Sequence, residues 1–355
     1  MFKKYTMGLM LALMVVALMA ACAPAQEAAA PADEGEEAAE SDAGAEEAGQ
    51  PGEGVEVVMG QATWDTGWFQ AAVFKQMMEE LGYTVQGPET LDNPVFYTGA
   101  AEGDVDFWAN GWFPNHDPFL EETGDAVQAV GFQVQAGALQ GYLIDAATAE
   151  ANGITNLGDL ADPEIASIID IDGNGQADLI GCNAGWGCEA IINSHLEMFE
   201  LGDTVEHVQG EYSALMADTI GRYERGEPVL FYTWTPNWTV SELSLGDDVV
   251  WLGVPDDPAV EAVAIPNCQE DPCDMGFAPN DIRVVASTEF LNNNPAAATL
   301  FELVEIPLAD IAEQNVLLSQ GEDSPSDIER HAATWIEDNR ALVDGWLEEA
   351  RAAAQ

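Results

Sequence analysis

The chain has 355 residues, of which 64 are Asp or Glu and only 9 are Lys or Arg, for a formal net charge of −55. That length exceeds one ordinary compact core and suits two lobes. So acidic a chain excludes a nucleic-acid partner, because phosphate binding draws on Lys and Arg, and its poverty in lysine suits a salty medium whose ions screen self-repulsion.

The first segment reads as an export signal. Lys3 and Lys4 precede an apolar run over residues 7–21 that is too short to span a membrane. It ends Leu18-Met19-Ala20-Ala21-Cys22, the small residues and cysteine of a bacterial lipoprotein signal, although Met19 stands where leucine is usual. Residues 1–22 are therefore expected to be a signal peptide ending in lipidated Cys22, which makes the protein extracytoplasmic and membrane-bound through a lipid anchor only. From Glu27 to Glu53 there are ten acids and no base among Ala, Gly and Pro, so residues 23–54 are expected to be a disordered acidic linker. Fifty-four acids and seven bases remain beyond it, so the folded body is acidic too. Besides Cys22 the cysteines form two local pairs, Cys182 with Cys188 and Cys268 with Cys273. In an exported chain, disulfides are favoured there over zinc, whose sites usually carry tighter C-x2-C pairs.

The folded region is expected to start at Val55. Residues 55–59 read as a strand, 67–81 carry apolar residues at helical spacing and stop at Gly82, and 83–85 resume as a strand. This strand–helix–strand opening predicts an α/β lobe with a parallel sheet. Residues 103–108 read as a further strand, leading into a loop over 110–116. The strand at 141–145 crosses into a second lobe, which holds the glycine-rich loop 181–188, helices over 189–201 and 212–224, and a strand over 229–233. A return crossing near 276–283 precedes a strand over 282–286. Helices follow over 295–304, 308–318 and 326–354, the last with a break. The expected division is lobe 1 over 55–140, lobe 2 over 141–278 and lobe 1 again over 279–355. Ligands of such open sheets sit in the crevice outside the carboxyl ends of the strands.

Three tryptophans, Trp112, Trp186 and Trp234, fall in Gly- and Pro-rich segments read as loops that follow strands. A trimethylammonium group suits such indoles: it has no N–H to donate, while indole faces offer quadrupole density and pack on its methyls, each contact worth about 0.5–2 kcal/mol when desolvated. A betaine also carries a carboxylate, which needs donors. The amides of Gly187, Cys188 and Glu189 lie at the start of a predicted helix, where free N–H groups and the helix dipole favour an anion. His116, four residues after Trp112, is the second expected donor. His195, His207 and His331 show no partner pattern and read as structural or exposed. Asp170, Asp172, Asn174, Gly175 and Asp178 match positions of an EF-hand loop, but position 12 is Gly181 and no flanking helices are evident. An Asp/Asn/Gly-rich turn is expected there rather than a calcium site.

These segments together resemble the glycine betaine/proline betaine-binding family of osmoprotectant ABC importers, a branch of the quaternary-amine substrate-binding proteins. The likeness runs from about Val55 to the C-terminus and is strongest over 141–145, 172–189, 217–220, 232–236 and 307–311. It implies an α/β, two-lobed periplasmic-binding-protein fold (type II-like) with the ligand in the interlobe cleft. It also implies a tryptophan box of Trp112, Trp186 and Trp234, carboxylate contacts from His116, Gly187 and Cys188, and a Cys182–Cys188 disulfide. The expected partners are a small betaine ligand and an ABC permease with its ATPase; the protein is expected to be a monomer, to use no cofactor and to catalyse nothing. Relative to the family pattern, the Cys268–Cys273 pair, the acidic linker and the lipid anchor are additions. Trp64 and Trp68 stand where smaller residues are expected and are taken as additional ligand contacts or lobe packing. The alternatives are another methylated cation such as choline or carnitine, a secreted hydrolase using His116 and Asp117, or a calcium-dependent surface module around 170–178. No nucleophile elbow, H-E-x-x-H or phosphate loop supports the hydrolase.

Overall fold

The structure, a computed structural model, describes residues 50–355. The expected signal peptide, Cys22 and most of the expected linker lie outside the described residues. The ordered body begins before Val55: the Gly52 N–H donates to the Leu81 carbonyl at 2.9 Å, and Val55 N–H donates to Gly52 O at 3.0 Å. A Cβ on Gly52 would lie 2.4 Å from the Tyr83 backbone nitrogen, so glycine lets this turn close onto the body despite its linker-like composition.

Among the described residues nine strands form the framework: β1 (Glu56–Ala62), β2 (Thr84–Leu91), β3 (Phe107–Phe113), β4 (Val127–Asp145), β5 (Ala177–Ile180), β6 (Val205–Val208), β7 (Leu230–Thr235), β8 (Val249–Leu252) and β9 (Asn280–Ser287). Their order is β2-β1-β3-β9-β4-β7-β5-β6, with β8 also paired to β4. The sheet is mixed rather than wholly parallel. β1 runs parallel to β2 and β3, and β5 runs parallel to β6 and β7, while β9 and β4 pair antiparallel with their neighbours. The 19-residue β4 joins the two halves: through Ala138 it pairs with β9, and from Leu139 it pairs with β7.

Several strands differ from the sequence expectation: β5, β6 and β8 were not expected, β7 runs on to Thr235, and β3 and β4 depart most instructively. β3 starts four residues later than predicted, because Gly103 in the left-handed region (φ +83°) ends the helix Asn93–Glu102. β3 also continues to Phe113, so Trp112 sits on a strand and not in a loop. All seven residues of β3 are buried, which erases the polar alternation that would mark a strand. In β4 only residues 141–145 were legible. Its first part shows register shifts around Val134 and left-handed backbone at Gly131 and Ala136, and these break the period-two pattern.

The helix Trp68–Glu80 buries Phe69, Val73, Phe74, Met77 and Met78. The C-terminal helices are Pro295–Leu303, Leu308–Ser319, Pro325–Asp338 and Arg340–Ala353, with the expected break at Asn339. Arg340 clamps Glu80 through two 2.8 Å hydrogen bonds and so ties the last helix to the first. Bases are scarce, and among the described residues each one has a partner. Lys75, Arg222, Arg225, Arg330 and Arg340 pair with carboxylates, and Arg283 and Arg351 donate to backbone carbonyls. Both cysteine pairs are disulfides, Cys182–Cys188 and Cys268–Cys273.

Candidate functional site

The ends of three strands and the start of one helix converge on a cleft. On β3, Asn110 and Trp112 meet, the indole N–H donating to the Asn110 side chain, just past a register shift between Trp108 and Gly111. Trp64 follows β1, Trp234 is the last residue but one of β7, and Trp186 immediately precedes the helix Gly187–Met198. The turn before Trp186 depends on Gly185, at φ +87°, whose N–H donates to Glu189 Oε2 at 2.7 Å, and on the Cys182–Cys188 bridge. Trp234, like Trp112, lies on a strand rather than in a loop, because β7 extends to Thr235.

Four indoles line one cavity: Trp64, Trp112, Trp186 and Trp234. The Trp64 and Trp186 ring centroids are 5.2 Å apart and those of Trp186 and Trp234 are 5.7 Å apart, both edge to face. The N–H of each of these four indoles is held by the protein. Asn110 Oδ1 accepts from Trp64 Nε1 at 2.6 Å and from Trp112 Nε1 at 2.8 Å. Trp186 Nε1 donates to Thr63 Oγ1 at 2.7 Å and Trp234 Nε1 to Thr66 Oγ1 at 3.2 Å. The rings are thus oriented in advance, with their polar edges spent on neighbours. Trp68 does not line the cavity, because its Nε1 turns back to donate to the Ala62 carbonyl at 2.8 Å.

The segment from Thr63 to Thr66 also crosses the cleft through Asp65. Its carboxylate accepts from Trp238 Nε1 at 3.1 Å and from Ser213 Oγ at 3.2 Å. Burial pushes the Asp65 carboxyl up from its ordinary range, with the hydrogen bonds from Ser213 and Trp238 opposing.

His116, Asn93, Asn115, Gln140, Tyr232, Gly187 and Cys188 complete the lining. His116 is fully enclosed and burial pushes it down to about 3, so its ring is neutral at physiological pH. Its Nε2 lies 3.0 Å from Asn93 Nδ2 and its Nδ1 lies 3.2 Å from the Tyr97 hydroxyl. Both ring nitrogens therefore already have partners. Gly187 and Cys188 open a helix that has no side-chain cap, where the first N–H groups lack intrahelical acceptors.

The other histidines lie elsewhere: His195 contacts the Tyr142 hydroxyl at 2.7 Å, His207 contacts Asn193 at 2.9 Å and His331 contacts Glu322 at 2.9 Å. Asp170, Asp172 and Asp178 bring carboxylate oxygens within 4.8 Å of one another. The loop satisfies itself, however: Asp170 accepts from the N–H groups of Gly173, Asn174 and Gly175, and Asn174 Oδ1 accepts from Gln176. Sequence reasoning missed Asn93, Asn110, Asn115, Gln140 and Tyr232. An amide on a strand otherwise buried throughout, as at Asn110, was the available signal.

A two-lobed α/β body with an aromatic cavity at its strand ends defines a solute-binding protein. Residues 55–338 match the family model described as the substrate-binding domain of ABC-type glycine betaine transport systems, and the chain belongs to that family. It is 45% identical over 313 residues to a glycine betaine-binding periplasmic protein of Dickeya dadantii, covering 86% of this chain and 92% of that protein. It is 43% identical over 304 residues to the glycine betaine/proline betaine-binding periplasmic protein of Escherichia coli, covering 85% and 92%. Its fold is similar to a binding protein from Borrelia burgdorferi, with TM-score 0.66 at 19% identity, covering 84% of this chain and all of that one. Among the described residues no helix is long and apolar enough to cross a membrane.

Proposed function

We propose that this protein captures glycine betaine or proline betaine between its lobes and hands it, without chemistry, to an ABC permease driven by an ATPase. The observation that carries this reading is the convergence of four indoles on one cavity. They come from chain segments up to 170 residues apart in sequence, Trp64 to Trp234, and their N–H groups are already engaged. The methylated nitrogen packs against the rings, and Gly187 and Cys188 donate to the ligand's carboxylate. His116 is a neutral wall at that end, and its own donation to the ligand requires exchange of its Asn93 or Tyr97 contact. The lipid on Cys22 tethers the exported monomer at the outer face of the membrane, with the acidic segment as its spacer.

A thermal-shift panel of glycine betaine, proline betaine, choline and carnitine, run at low and high salt, tests the proposal. A ligand at a hundred times its Kd stabilises by about 2.7 kcal/mol, so the two betaines should raise the midpoint by several degrees. Choline is the second reading, favoured by the engaged nitrogens of His116. A shift with choline and none with either betaine would replace the first reading with the second.

A further inference from the structure

Gln140 sits where β4 passes from one half of the sheet to the other, is 3% exposed and lines the cavity. Its Oε1 accepts from Asn115 Nδ2 at 2.8 Å and from the Tyr232 hydroxyl at 2.5 Å. A chain of donors anchored on the backbone fixes this orientation. Asn280 Nδ2 must face the Ala278 carbonyl, to which it donates at 2.7 Å, and it also donates to Asn115 Oδ1 at 3.3 Å. Asn115 therefore presents its Nδ2 to Gln140, and Gln140 must present its oxygen in return. The Gln140 Nε2 is left buried with no partner among the described residues. Buried amide donors are rarely left unpaired, because desolvation without an acceptor outweighs the net gain of an ordinary hydrogen bond.

We infer that Gln140 Nε2 donates to the anionic end of the ligand and sets the preference for carboxylate-bearing over carboxylate-free quaternary amines. The inference rests on the betaine reading of this site. Its placement fits: Asn115, which holds Gln140, packs on Gly187, where a Cβ would lie 2.9 Å from the Asn115 carbonyl oxygen. Gln140 thus stands beside the same helix start that offers the Gly187 and Cys188 amides. Because Asn115 precedes His116 and Tyr232 belongs to β7, the amide is held by groups from both sides of the cleft.

The test is calorimetric titration of the mature chain with glycine betaine and with choline at pH 8, comparing wild type with Gln140→Glu. That variant keeps the acceptor oxygen for Asn115 and Tyr232 and replaces only the donor group by oxygen. Glycine betaine binding should weaken by about tenfold or more, while choline binding changes by less than about threefold or tightens. Wild type that binds neither ligand would overturn the betaine reading and this inference together. Wild type that binds glycine betaine, with a variant that loses both ligands equally or neither, overturns the inference alone. Should the variant fail to fold by circular dichroism, the wild-type Gln140 side-chain amide resonances decide: they should move with glycine betaine and stay with choline, and any other pattern overturns it.

Discussion

Trp186→Ala is the sharpest perturbation of the cage. Trp186 is 5% exposed, its ring lies between those of Trp64 and Trp234, and its Nε1 bonds Thr63 across the cleft. Truncation removes one cation–π wall, worth about 0.5–2 kcal/mol, and one hydrogen bond, worth about 0.5–1.5 kcal/mol net. The sum of about 1–3.5 kcal/mol corresponds to roughly five- to 300-fold in Kd. The fold should survive, because the void opens into the cleft and the turn stays pinned by the disulfide and Glu189. Calorimetry with glycine betaine reads the affinity and near-ultraviolet circular dichroism reads the packing. Two companions divide the loss: Trp186→Phe keeps an aromatic face, and Thr63→Val removes only the acceptor. An alanine variant whose Kd stays within about twofold of wild type, natively folded, would refute the claim that indole faces recognise the ligand.

Asp65→Ala removes the acceptor of Trp238 and Ser213 across the cleft. It should weaken binding by about three- to tenfold, mostly through faster release in stopped-flow traces; an unchanged release rate would show that the contact does not hold the lobes closed. Gly187→Ala places a Cβ 2.9 Å from the Asn115 carbonyl oxygen. The lobes should then close poorly, with affinity down by about tenfold and the melting point of the unliganded protein nearly unchanged; equal affinity would mean that the two segments separate freely. The His116 ring is held at about 3 when folded against an ordinary 6.5, so the unfolded chain binds the proton first. Its contribution is complete above about 6.5 and is lost as pH falls towards 3, by up to about 1.4 kcal/mol per pH unit. Urea unfolding between pH 7 and 4.5 should therefore show a shallower slope for His116→Gln than for wild type, and parallel slopes would count against the burial argument.

Much of the site was legible because its chemistry is written in residue types. Indoles at 112, 186 and 234, a histidine four residues after the first, and the amides at a predicted helix start suit a methylated cation and an anion before any contact is known. The bounding helices were legible as well, since 212–224 and the broken C-terminal pair carry clear apolar periodicity. Strand ends were less so. Trp112 and Trp234 read as loop residues because β3 and β7 are nearly buried throughout and show no alternation.

What the sequence by itself determined was composition-borne: the acidic body, the paired cysteines, the α/β pattern and the kind of ligand that three indoles suit. Only the tertiary structure decided how those indoles are held and which other groups join them. Trp64 meets Trp112 through Asn110, 46 residues from Trp64. Trp186 reaches Thr63 over 123 residues, Trp234 reaches Thr66 over 168, and Tyr232 reaches Gln140 over 92. Threonine, asparagine and glutamine are ordinary in any turn or strand. They become specific only when folding buries them and leaves each donor a single acceptor within reach, and spacing along the chain cannot encode that.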